Sequence, residues 1–203
     1  MPYTFLVDTY ASERLKTLEV WSMFRDDDLG LRPHPTLTRD RNAREHMIHQ
    51  CLSEDKWFSG MFGIVVNAPR LPDQETRLAL LHCYAAASSQ RFAQLTTQTQ
   101  SWWEQTVPFF DLHRPRTWIM VRRIAHTAHH RGEMTTLLRL LERPVYSVYG
   151  PSVDTGGLPS NQARTIYAYP DIPTLLEGEA HGGQKAALPG PGPHPSTERP
   201  DHE

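Results

Sequence analysis

The chain has 203 residues, with 21 Lys and Arg against 23 Asp and Glu, for a net charge of −2. That length supports one domain with a substantial core. The near balance of charge gives no general electrostatic case for nucleic acid or for an anionic membrane surface, and both are excluded from the expected partners.

The first residues, "MPYTFLVDTYASERLK", have no basic segment followed by an apolar one, so no signal peptide is expected. No window approaches the roughly 18 apolar residues that span a bilayer. Residues 4 to 25 carry Leu6, Tyr10, Leu15, Leu18, Val20, Trp21 and Phe24 at helical spacing and predict a first helix. Gly30, Pro33 and Pro35 then mark a loop. A second helix is predicted over 42–61. Asn42 is its cap and Glu45 reaches back to it, and the apolar side comprises Ile48, Cys51, Leu52, Phe58 and Phe62. After "VVNAPRLPDQ", a third helix is predicted as one continuous run over 73–106, and a fourth over 116–142 between Pro115 and Pro144. No stretch reads as a strand. Cys51 and Cys83 form no paired-cysteine motif and read as buried free thiols, which suits a reducing cytoplasm.

Four long helices with short connections predict an all-α protein, an up-down four-helix bundle over 1–165. An irregular Gly-, Pro- and Tyr-rich loop follows the fourth helix. Residues 166–178 form a short extension in which "DIPTLLEGE" suits one helix. Residues 179–203, nearly free of large apolar side chains, are expected to be a disordered tail with solvent-exposed histidines.

The chain holds 11 histidines, and "RRIAHTAHHRGEMTTLLRLLE" packs three of them into five positions of the fourth helix. At about 100° per residue, His130 lies roughly 40° from His126, inside the apolar stripe of Ile119, Met134, Leu137 and Leu141, while His129 lies about 60° to the other side. Two imidazoles one turn apart on one face chelate a divalent ion, or else are core histidines held by hydrogen bonds. A bundle-core ion also needs a ligand from another helix. The second helix offers His46 and His49. Periodicity does not cleanly separate them, and His49, nearer the edge of the apolar side, is modestly favoured.

His49 on the second helix, then Glu54 and Trp57, and far downstream "HTAHHRGE" resemble the DinB/YfiT-like family of metal-binding helical bundles, which is unrelated to the DNA polymerase sharing the DinB name. The family pattern is one histidine on the second helix and HxxxHRGQ on the fourth. His126, His130, Arg131 and Gly132 match it, and Glu133 stands where glutamine is more usual. The resemblance implies a metal site of His49, His126 and His130, with zinc or nickel suited to all-nitrogen ligation and ferrous iron a further fit. Glu133 and Glu54 are candidates to orient the ligating rings.

The family also implies a metal-dependent enzyme that moves a low-molecular-weight thiol onto a small-molecule electrophile. Arg122, Arg123 or Arg131 would then meet the thiol's carboxylates, Arg131 being inside the matched motif and therefore assigned to cofactor binding. The alternatives are a non-catalytic metal-binding stress or sensor protein and a metal-dependent hydrolase. No catalytic base or nucleophile stands out. Family members are often homodimers. The aromatic run Trp102, Trp103, Phe109 and Phe110 either closes the bundle end or contributes to a dimer face.

Overall fold

The computed structural model describes residues 2–34, 36, 38–193 and 197. In chain order the elements are α1 (Thr4–Ser22), α2 (Ala43–Trp57), α3 (Arg77–Leu95), the short α4 (Gln100–Glu104), the strands β1 (Thr106–Phe109) and β2 (Leu112–Pro115), α5 (Arg116–Leu140) and α6 (Ile172–Ala180). Among the described residues the protein is all-α apart from this one hairpin. Helix α1 packs on α3 and α5, α2 packs on the same two, and α6 lies across α1 and α3.

The start of α2 follows from its sequence. Glu45 N–H donates to Asn42 Oδ1 and Asn42 N–H donates to Glu45 Oε2, both at 2.9 Å. A cap of this kind contributes about 1 kcal/mol. One π turn, Phe58–Phe62, extends α2 until Gly63 ends it at φ +67°. The apolar side expected for this helix is only partly right. Leu52 is exposed, while His46, Gln50 and Glu54 are buried, because the buried face of α2 carries polar chemistry rather than a simple apolar stripe.

The single long third helix is also corrected. It begins at Arg77, where Ala79 N–H donates to Thr76 Oγ1 at 3.2 Å, and ends at Leu95. The cause of the break is the threonine cluster that follows. Thr96 and Thr97 hydroxyls donate to the carbonyls of Ala93 and Gln94, and Thr99 Oγ1 accepts from Trp102 N–H to start α4. Side-chain oxygens that compete for backbone groups in this way favour turns over helix interiors.

The chain beyond α4 forms an antiparallel hairpin that was not anticipated, with Thr106 paired to Pro115 and Phe109 to Leu112. Its tip holds Phe110 at φ +53°, an uncommon conformation for a bulky side chain. Trp103 is buried and Trp102 and Phe109 pack against the same apolar cluster, so these aromatics close one end of the helices, whereas Phe110 is exposed.

Two apolar clusters fill the interior. One gathers Leu18, Trp21, Met47, Leu80, Tyr84, Met134 and Leu138, with Tyr169 and Leu175 added from the C-terminal segment. The other gathers Leu6, Tyr10, Phe58, Phe62, Leu95, Ile119 and Met120. Between them lies buried charge. Glu54 accepts from Tyr10 at 2.7 Å, from Tyr84 at 2.9 Å, and from Arg91 and Arg123 at 3.3 Å each. The two tyrosines belong to different clusters, so one carboxylate ties both halves together.

The C-terminal segment corrects a further expectation. Glu179, assigned by composition to the tail, is buried in α6, where it accepts from Tyr169 and Lys185 and pairs with Arg77. Tyr146 donates to Ala186 O, and Gly190 N–H to Asp154 O. Residues 181–190 therefore lie against the body through backbone contacts, which composition does not register. Of the tail histidines, His181 is exposed, and His194 and His202 lie outside the described residues. Cys51 is buried, Cys83 is half-buried, and both are free.

Candidate metal centre

Helices α2 and α5 pack against each other and bring three of their histidines to one point. His49 Nε2 stands 3.0 Å from His130 Nε2, which stands 3.3 Å from His126 Nε2. One nitrogen from each ring lies within 4.8 Å of the others. His130 is buried, and His49 and His126 are half-buried, so the cluster opens toward solvent on one side. Zinc–nitrogen bonds of about 2.0–2.1 Å separate neighbouring nitrogens by roughly 3.3 Å in a tetrahedron and about 3.0 Å in an octahedron. The observed spacings fit one divalent ion at the common point.

The two rings on α5 are held from behind. His130 Nδ1 lies 2.6 Å from Glu133 Oε2, one turn along α5, which fixes the proton on Nδ1 and turns the Nε2 lone pair inward. His126 packs against Trp57 with ring centroids 5.7 Å apart. Arg123 donates to Ser53 Oγ at 3.0 Å and to Glu54, and stands a long 3.4 Å from His126 Nδ1. A His126 ring that ligates through Nε2 carries its proton on Nδ1, so Arg123 must yield this last contact while keeping Ser53 and Glu54. Glu54 touches no histidine. It acts on the site through Arg123.

Burial lowers the pKa of His49 and of His126 to about 4, with Arg41 next in effect at His49 and Arg123 at His126, and it lowers that of His130 against the opposing pull of Glu133. His46 is likewise lowered to about 4 by burial. All four rings are neutral at pH 7, which is the state a cation needs.

The same shifts set a pH dependence. A histidine with a folded value below its unfolded 6.5 binds fewer protons when folded, so its contribution is intact above pH 6.5 and is lost as pH falls toward about 4. Glu19, pushed up to about 7 by burial, has the opposite sign between 4.5 and 7. Four groups oppose one, and the metal-free protein is expected to melt at progressively lower temperature from pH 6.5 to 4.5. Substituting His46 by Phe should flatten that slope. A melting temperature that is level or rises on acidification contradicts the assignment.

The structure brings His49, His126 and His130 together and puts His46 beside them, 5.8 Å from His130 between ring centroids. His129 is exposed on the flank, 3.5 Å from Glu133. Arg131 is the correction. It is 1% exposed and points away from the histidines toward α1, donating to Glu13 O, Thr17 Oγ1 and Glu13 Oε2 there and to Tyr149 in the segment after α5. A guanidinium so enclosed and paired is not free for the carboxylates of a thiol cofactor. Arg123 is buried as well. Sequence reasoning missed Arg41, which is exposed just before α2 and whose charge bears on His46, His49 and His130.

Residues 3–158 match the DinB family. The chain belongs to the DinB family. A solved DinB-like protein from Bacillus cereus ATCC 10987 has a similar fold, with a TM-score of 0.60 and 19% identity over 71% of this chain and 95% of that one. No curated protein matches the chain. His46, His49, His126 and His130 of this DinB chain lie within the matched region, as does the α2–α5 contact that assembles them. No helix among its described residues is long and apolar enough to cross a membrane.

Proposed function

We propose that the protein is a metal-dependent enzyme built on an up-down four-helix bundle, holding zinc or nickel, or ferrous iron, at His49, His126 and His130. The convergence of three neutral Nε2 atoms carries this reading. Three protein ligands leave coordination positions open, as in working rather than purely structural sites. A bound divalent ion supplies a Lewis acid that lowers the pKa of a thiol or water at neutral pH.

The thiol branch is favoured as the reaction: a low-molecular-weight thiol adds to a small electrophile and displaces its leaving group. Glu133 holds the His130 tautomer and Trp57 walls the site beside His126. Arg41, not Arg131, is the guanidinium available to an anionic thiol. The expected homodimer belongs to the same reading, with the exposed Phe110, Leu112 and Trp118 as the apolar surface a second copy would cover; light scattering measures it.

The test is a screen of metal-reconstituted protein with small thiols and monochlorobimane. Conjugation should occur with at least one thiol, and His126→Ala should lose more than about a hundredfold of it, beyond the 10–100-fold cost of losing only an orienting partner. Tight stoichiometric metal without turnover of any physiological thiol favours the sensor alternative, and hydrolysis of ester or amide substrates the hydrolase. Failure to bind any divalent ion removes all three.

A further inference from the structure

We propose that His130 has a second ligand set on its other ring nitrogen, and that the chain takes a second divalent cation there, held by His46 Nδ1, His130 Nδ1 and Glu133 Oε2. This rests on the metal centre proposed above, because His130 belongs to both sets.

Two observations point to it independently. First, His46 is more than nine-tenths buried on α2, yet its Nδ1 is a buried nitrogen without a hydrogen-bond partner. Its nearest carboxylate oxygen is Glu133 Oε2 at 3.8 Å, beyond a hydrogen bond but within the span of two ligands on one ion. Second, the same Oε2 lies 2.6 Å from His130 Nδ1, and one donor atom from each of the three residues falls within 4.8 Å of the others.

The geometry follows from the helices. His46 and His49 are nearly one turn apart on α2 and flank the His130 ring, with centroids 5.8 and 4.6 Å from it. His49 meets His130 at Nε2, and His46 stands beside Glu133 on the Nδ1 side. Two imidazoles and a carboxylate form a donor set that zinc accepts in catalytic sites. Glu133 is exposed, so an ion has a path in from solvent. For a second ion to bind, the proton that His130 Nδ1 shares with Glu133 would leave to solvent, and the ring, then an imidazolate anion, would offer one nitrogen to each ion. Glu133 then turns from an orienting partner into a ligand.

The experiment is a count of zinc per chain. Protein stripped by a chelator is dialysed against zinc alone, and bound zinc is measured by elemental analysis, with helicity checked by circular dichroism. Wild type is expected to hold two ions. His46→Phe and Glu133→Gln should each hold one, His49→Ala should hold one, and His130→Ala should hold none. One ion in wild type, retained in His46→Phe and lost in His49→Ala, overturns the second site and leaves the first. Two ions in both wild type and His46→Phe place the extra ion elsewhere and also overturn it. No ion in wild type removes the metal centre together with the second site.

Discussion

Replacing His130 by alanine should abolish retention of a divalent ion, while replacing its neighbour His129 should leave retention unchanged. His130 is the hub of the cluster. Its Nε2 faces both His49 and His126 at 3.0 and 3.3 Å, and its Nδ1 is held by Glu133. Removing the ring leaves two imidazoles on different helices with nothing between them. The expected loss exceeds about a hundredfold in affinity, since losing an orienting partner alone costs roughly 10–100-fold. Competition with a chromogenic zinc chelator measures it. Circular dichroism separates loss of ligand from loss of fold. Affinity of the His130→Ala variant within tenfold of wild type would falsify the metal centre.

The second large effect concerns stability. Glu54→Gln should lower the melting temperature strongly although Glu54 touches none of the clustered histidines. The carboxylate is buried and accepts from Tyr10, Tyr84, Arg91 and Arg123. Burial pushes its pKa up, but Arg123 and Arg91 more than offset this and hold it below the ordinary value. Without the charge, two buried guanidinium groups lose their shared counter-ion. Removing one partner of a buried charge set costs about 3–5 kcal/mol. For a chain of this size that corresponds to a fall of roughly 6–20 °C. Differential scanning calorimetry is the measurement, and a fall below about 2 °C would show that the arginines have other means of compensation. Above its unfolded pKa of 4.5 the carboxylate contributes fully, and that contribution is lost as pH drops through the lower folded value.

Parts of this architecture are legible in the residues. Asn42 and Glu45 announce the start of α2, and the prolines at 115 and 144 bracket α5. The family, too, is legible in the order of His49 and the HxxxHRG segment. The three histidines assigned to one site do meet, but phase along α2 hardly separates His46 from His49, because both lie against α5. Only the packed helices show which nitrogen faces which.

The misses share a cause. The threonines at 96, 97 and 99 are tolerable helix residues one at a time, and break α3 only because their side chains take backbone partners in succession. Arg131 matched the motif, but a motif carries no direction, and its side chain runs to Glu13 on α1. The buried charge was half visible. Arg91 falls in helical register with Leu80, Tyr84 and Leu95, a signal that it faces inward. Its partner on another helix leaves no mark in local sequence.

The division of the interior by charge bears on how this chain changes over evolutionary time. Within either apolar cluster, one side chain can be exchanged for another of similar volume at small cost, and changes at well-separated positions in the two clusters add independently. Glu54, Arg91 and Arg123 have no such freedom. Replacing Glu54 takes from both arginines the counter-ion they share, and replacing either arginine takes from Glu54 one of its two cations, so the three positions are expected to change together or not at all, and with them the support behind His126.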